Sequence, residues 1–320
     1  MREILSMIKI SVVIPVYNRA EWIGETLDRI FNQKHDVFEV VICDDGSTDA
    51  LAEALQPYGA KIKLITITNS GPAIARKTAI DHATGDWVAL CDSDDFWHED
   101  HIQNFVSALA AYPATDVYFS NFWLSDQKDT TKFDEAAGSW FHGLCNEQQS
   151  ESKSHYYRCR QPFLGALLEF QACFPSCLVF RKDFYERIGG IKVYISRWRS
   201  EDFHLTARMA AQARATVSVK PTVMINKHSG NFSAEHVENL KGEVDILVDI
   251  WEHSLVPQPS LDLIAKQLVG FKLRLFRAYY WSAKYGEAVA ICKQLPRQQL
   301  NARDLVRMLA SLILRVFQKT

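Results

Sequence analysis

Three short acidic segments carry the side chains best suited to chemistry. Cys91-Asp92-Ser93-Asp94-Asp95 sets three carboxylates within four residues, where they repel one another. A plain turn has no use for that repulsion, and a divalent cation removes it. Asp-x-Asp offers two hard oxygen ligands suited to Mg²⁺ or Mn²⁺, ions that keep waters and complete their shell with substrate phosphates. The second segment, Cys43-Asp44-Asp45-Gly46-Ser47-Thr48-Asp49, reads two ways. Its carboxylates could bind a ligand, or Asp-Gly-Ser-Thr-Asp could be turn chemistry in which Thr48 or Asp49 caps the next helix. The third is Ser200-Glu201-Asp202. A carboxylate there could take a proton from a hydroxyl, or it could favour the dipole at a helix start.

These segments must be positioned by regular elements. Apolar, β-branched runs predict strands over residues 8–14, 38–43, 62–68, 87–91 and 116–121. Helical spacing predicts helices over 22–33, 72–83 and 99–111, the second opened by Gly71-Pro72. Alternation of this kind implies an α/β fold, a mostly parallel sheet with helices on both faces. Ligands in such sheets bind beyond the carboxyl ends of the strands. The first two acidic segments follow predicted strands and therefore share that edge. Residues 125–165 are polar and unpatterned, the mark of a functional or mobile loop. Order resumes over 174–181, then a helix ended by Gly189-Gly190, a helix over 201–213 and two short strands over 216–219 and 223–226. Everything after residue 233 reads as helix, so the expected domains are 1–232 and a helical extension, 233–320.

Taken together, the motifs resemble the inverting family 2 glycosyltransferases, which have the GT-A fold. The resemblance rests on Val12-Val13-Ile14-Pro15-Val16-Tyr17-Asn18, the Asp44-Asp45 segment, Gly71-Pro72-Ala73-Ile74-Ala75-Arg76, the run from Gly85 to Asp95, and Ser200-Glu201-Asp202. It covers roughly residues 8–232. It implies an enzyme, a hexosyltransferase-like, metal-dependent transferase that moves a sugar from a nucleotide diphosphate, a UDP-sugar by preference, to an acceptor hydroxyl. Pro15, Val16, Tyr17 and Asn18 would line the nucleoside pocket, Asp45 would accept from the base, and Arg76 and Ser93 would contact the nucleotide. Asp92 and Asp94 would hold the Mn²⁺ or Mg²⁺ against the diphosphate, with Asp95 contributing. A cation there stabilises charge that grows on the leaving group. Asp202 would be the general base and Glu201 an acceptor-binding or supporting group. One base and no nucleophile implies inversion. His228, in a segment similar to the one that closes many catalytic domains of this family, could reach the metal or be a plain loop residue. Lys77 departs from the family's usual Asn after that Arg. The implied acceptor is a glycan or lipid-linked glycan in polysaccharide synthesis.

Other features narrow the classes. The net charge of −2 says little about partners, and no nucleic-acid partner is expected. Seven cysteines without a paired Cys-x-x-Cys pattern read as reduced thiols. No stretch reads as a signal peptide or a membrane span, so the expected location is cytoplasmic, peripheral on the inner face of the membrane. The basic residues are uneven: residues 261–320 hold 11 Lys/Arg against 3 Asp/Glu. There Arg303, Arg307, Ser311, Arg315 and Lys319 recur every four residues, beside an apolar face of Leu305, Met308, Leu309, Leu312 and Val316. Such a helix lies in a membrane interface, or packs on the domain with its basic edge in water. Trp140, Phe141, His142, His155, Tyr156, Tyr157 and the Arg197-Trp198-Arg199 run are candidates for acceptor contact or for ordinary packing. The competing functions are a glycosyltransferase-like binding module without catalysis and a sugar nucleotidyltransferase. The second should show a Gly-rich phosphate loop where Pro15-Val16-Tyr17-Asn18-Arg19 stands. A dehydrogenase is excluded by the lack of G-x-G-x-x-G after any predicted strand.

Overall fold

The computed structural model describes residues 8–136, 138–145, 155–228 and 236–317. The strands are β1 (Ile10–Val16), β2 (Glu39–Asp44), β3 (Ile62–Thr66), β4 (Trp87–Leu90), β5 (Phe96–Trp97), β6 (Val117–Leu124), β7 (Gln127–Thr131), β8 (Tyr156–Arg158), β9 (Leu178–Arg181) and β10 (Ala215–Ile225). The helices are α1 (Ala20–Phe31), α2 (Leu51–Leu55), α3 (Pro72–His82), α4 (His101–Ala111), α5 (Gly138–Leu144), α6 (Leu164–Glu169), α7 (Lys182–Arg187), α8 (Glu201–Ala210), α9 (His236–Glu252), α10 (Gln258–Trp281), α11 (Tyr285–Cys292) and α12 (Ala302–Phe317).

All ten strands join one sheet in the order β3-β2-β1-β4-β9-β6-β10-β5, with β7 on β6 and β8 on β10. Strands β3, β2, β1 and β4 run parallel, as expected for strands linked by helices. Beyond them the sheet is mixed: β9 lies antiparallel between β4 and β6, while β6 and β10 are parallel. The two short strands expected after residue 215 are one strand. A register shift around Pro221 bends it, because proline has no N–H to give the ladder. The segment expected to be irregular, 125–165, supplies β7, α5 and β8 among its described residues.

The core follows the alternation of the strands. Ile10, Val12, Ile14 and Val16 of β1 face Ile23, Leu27 and Ile30 of α1 and Ile102 and Phe105 of α4. The other face receives α3, which packs on β1 and β2. Its short side chains, Ala73, Ala75 and Ala79, let it lie close.

The chain divides into two compact units. Residues up to Arg197 together with Leu205–His228 form the sheet unit; Trp198–His204 and the helices from His236 onward form a helical one. In the helical unit, α10 packs on α9 and α11 through Leu261, Ile264, Leu268, Phe271 and Leu275. The terminal helix α12 does not pack with its apolar face inward and its basic edge in water, the second of the two expectations. Its polar edge faces inward: Asp304 and Ser311 are fully buried, and Arg307 pairs with Asp304. Leu305, Leu309 and Val316 are exposed, and Lys319 lies outside the described residues. No described helix is long and apolar enough to cross a membrane.

Phe105 anchors the core, with its ring edge-on to Trp87 at 4.9 Å and 5.5 Å from Tyr118. Phe105→Ala should cost about 3–5 kcal/mol of unfolding free energy, measured by urea denaturation. A loss below about 1 kcal/mol would mean that the cluster repacks around the gap.

Candidate active site

Parallel strands β1, β2 and β4 end together, and the acidic segments extend from their carboxyl ends. The loop after β1 is locked to the loop after β2. The Asp45 N–H donates to the Val16 carbonyl at 2.8 Å, and the Asn18 N–H donates to Ser47 Oγ at 2.9 Å. Asn18 has φ 51°, a left-handed conformation that Asn tolerates, and its Oδ1 accepts from the Thr48 N–H at 2.8 Å.

Most of the first acidic segment is turn chemistry. Asp44 Oδ1 accepts from the Ser47 N–H at 2.8 Å. Asp49 accepts from the Ala20 N–H at 2.9 Å, so it caps α1, the helix before it, and not the one that follows. Asp45 is buried, and its two oxygens accept from the Ser70 and Gly71 N–H groups at 2.7 and 2.8 Å. The same turn is gripped from the other side. Ser196 Oγ donates to the Ser70 carbonyl and Arg197 to the Asn69 carbonyl, both at 2.9 Å. Gly71, at φ 94°, leaves room for this grip, since a Cβ there would meet the Ser196 carbonyl at 2.7 Å.

The second segment is different. Asp92 is partly exposed and accepts from Arg76 Nη2 at 3.0 Å; the arginine itself is buried. Asp94 accepts from Arg19 Nε at 2.9 Å and from His228 Nε2 at 3.0 Å. The His228 ring stacks on Trp22, centroids 5.5 Å apart. The carboxylates therefore stand among two guanidinium groups and an imidazole. Asp95 turns away from this group. Its oxygens accept from Ser176 Oγ at 2.5 Å and the Asn226 N–H at 3.0 Å. Burial first, then the charges of Asp92 and Asp94, raise its carboxyl well above the ordinary range. Asp95 thus serves as a fixing point rather than as a ligand presented beside Asp94. Ser93 is buried, and its carbonyl accepts from Thr26 of α1. Pro15 and Val16 are the last residues of β1, and Tyr17 beyond them is exposed. Burial pushes the Cys91 thiol up, which removes it as a nucleophile.

Glu201 and Asp202 open α8 and belong to the helical unit. Ser200, at φ 59°, turns the chain into them. Two contacts hold this turn. His204 Nε2 meets Asp249 Oδ2 of α9 at 3.1 Å, both buried. At Gly242 a Cβ would meet the Arg199 carbonyl at 2.3 Å, so only glycine lets α9 come this near. Arg19, Trp22, Ser176 and Ser196 have no signal of their own in the sequence, because their partners lie far along the chain. Lys77 pairs on the surface with Asp81 at 2.6 Å. Trp140 is core, packed against Phe133 and Phe170 with its indole N–H on the Ala166 carbonyl. Phe141 and Tyr157 meet edge to face. The segment after His228, residues 229–233, lies outside the described residues.

Among the described residues, no three His, Cys, Asp or Glu side chains form a ready cation cage. The partly exposed Asp92 and the buried Asp94 offer oxygens of the kind that suit a hard cation, one that keeps water and takes further ligands from phosphates.

Comparison with known proteins agrees with this layout. The family described as Glycosyl transferase family 2 matches residues 11–189. An uncharacterized glycosyltransferase of Rickettsia conorii is 42% identical over 104 residues, 32% of this chain and 17% of that protein. The amylovoran biosynthesis glycosyltransferase AmsB of Erwinia amylovora is 44% identical over 108 residues, 32% of this chain and 36% of that one. The putative teichuronic acid biosynthesis glycosyltransferase TuaG of Bacillus subtilis is 38% identical over 98 residues, covering 29% and 39%. The matches thus span well under half of these relatives. Among solved structures, Staphylococcus aureus TarS 1–349 in complex with UDP-GlcNAc gives a TM-score of 0.60 at 21% identity, over 95% of this chain and 80% of that one. The mannosyltransferase PcManGT of Pyrobaculum calidifontis, in complex with GDP-Man and Mn²⁺, gives 0.52 at 19% identity, over 98% and 88%. At these identities the likeness shows the fold, which is that of the GT-A glycosyltransferases.

Ser176 ties the acidic loop together. Its Oγ donates to Asp95 and accepts from the Asp92 N–H, and its carbonyl accepts from the Trp97 indole at 2.8 Å. Ser176→Ala leaves a buried carboxyl with one donor fewer and should lower stability by about 1–3 kcal/mol. Equal thermal unfolding of variant and parent would show the bond to be dispensable.

Proposed function

The chain belongs to glycosyl transferase family 2, and from that premise we propose that it transfers a sugar from a UDP-sugar to a hydroxyl of a glycan or lipid-linked glycan, with inversion at the anomeric carbon. The observation that carries this reading is the arrangement of Asp92 and Asp94 at the carboxyl edge of the parallel strands, each paired with a cationic side chain. A nucleotide diphosphate presents the negative charge that Arg19 and Arg76 attract. A divalent cation held by Asp92 and Asp94, with His228 beside it, would supply Lewis-acid stabilisation of the departing diphosphate.

The chain's own residues would do the rest. Pro15, Val16, Tyr17 and Asn18 offer the nucleoside one wall. Asp45 holds the facing turn 69–71 and keeps lone pairs for one more donor, such as a uracil N–H. Ser93 stiffens the loop between the two acids. Asp202 would take the acceptor's proton as the hydroxyl attacks, and Glu201 would orient that hydroxyl. The relatives AmsB and TuaG are named for polysaccharide synthesis, and we extend that class of acceptor to this chain.

A panel of UDP, GDP, dTDP and CMP, each with and without Mn²⁺ or Mg²⁺, tests the donor site by thermal shift. UDP at a hundredfold excess over its dissociation constant should add about 2.7 kcal/mol, a rise of several degrees, and the rise should need the metal. No shift with any diphosphate would remove the proposal. Asp202→Asn should keep the UDP shift and lose transfer by at least about a hundredfold. Near-normal transfer by that variant would give the base to another residue.

A further inference from the structure

We propose that α12 docks this protein on a lipid surface bearing anionic headgroups. The proposal rests on which side of the helix faces out, and it does not depend on the transfer reaction. Asp304 is fully buried, and it receives Arg277 of α10 through two bonds, 3.0 and 2.7 Å, and Arg307 at 2.8 Å. Arg307 is held further by the Ser311 hydroxyl, which donates to its carbonyl. This inward ion pair fixes the roll of the helix, and rolling the apolar side inward would break it. The opposite side is therefore outward by construction. It presents Leu305, Val306, Leu309, Ile313 and Val316, each between 42% and 65% exposed. These positions recur at helical spacing and form one continuous stripe. Contiguous apolar patches of this kind mark interaction surfaces.

Charge decides the occupant. Exposed Arg303 and Arg315 lie on either flank of the stripe, suited to phosphate headgroups at the level where an apolar face enters the acyl boundary. Trp281 stands beside the helix with the Arg307 guanidinium 5.5 Å from its ring and is the most exposed large apolar side chain described. Tryptophan so placed favours the bilayer interface. A second copy of the chain fits less well. Its matching stripe would bring arginines against arginines, and the one acid of α12, Asp304, is already paired inside.

Vesicle flotation of the full chain tests this. The protein should float with vesicles of phosphatidylcholine and phosphatidylglycerol, and far less with phosphatidylcholine alone. Leu309→Ser/Ile313→Ser should weaken flotation roughly tenfold or more, with an unchanged melting temperature because both side chains are exposed. Arg303→Glu/Arg315→Glu should abolish the preference for phosphatidylglycerol. Failure of the parent protein to float with either vesicle would overturn the proposal. So would undiminished flotation of the serine variant. Sedimentation as a dimer that the serine variant dissociates would assign the stripe to a second copy instead.

Discussion

Three carboxylates in four residues cannot stand side by side without compensation, and the sheet unit is arranged around that constraint. Asp94 is satisfied by Arg19 from the loop after β1 and by His228 beyond β10. Asp92 is satisfied by Arg76 from α3. Asp95 gives up solvent and takes two hydrogen bonds, one from Ser176 before β9 and one from the backbone after β10. The loop after β4 is thus the hub where distant parts of the chain meet. The charge balance is achieved by two arginines, a histidine and a serine drawn from four separate parts of the chain.

The first acidic segment resolves differently under the same physics. Asp44, Asp45 and Asp49 sit on separate turns, each accepting backbone N–H groups. Their role is to fix the loops that follow β1 and β2 and the turn 69–71. Asp45 alone of the three is buried, and it holds the turn that Ser196 and Arg197 grip from the other side. Similar runs of Asp in one sequence therefore take different work according to what lies opposite them.

The strands that end at the site are legible in the sequence because they are short apolar runs followed by Asp44 and Asp92 or punctuated by Pro15, although β1 continues through that proline to Val16. The Asp-x-Asp spacing was legible for the same reason: its signal is local. The partners were not, since Arg19 is 75 positions from Asp94 and Ser176 is 84 from Asp92. Strand β10 was split in the reading by Lys220-Pro221, which interrupts the apolar pattern while the fold absorbs it as a bulge. The antiparallel β9 could not be foreseen from alternation alone, because a strand's direction is set by where its connection returns. For α12 the sequence showed two faces without saying which one packs. Arg277, 27 residues earlier, decides it by offering a buried ion pair to Asp304.

The turn that opens α8 is held by residues far from it in the sequence. Its residues Trp198–His204 pack with the helices from His236 onward, while the rest of α8 packs with the sheet unit. His204 and Asp249 are buried together, and His253 meets the other oxygen of Asp249 at 3.2 Å. The buried His204–Asp249 pair is costly to disturb, because both groups lie away from water, whereas His253 is exposed. Gly242 removes the one Cβ that would push Arg199 away. Together these hold the backbone at Arg199 and at His204, on either side of Asp202.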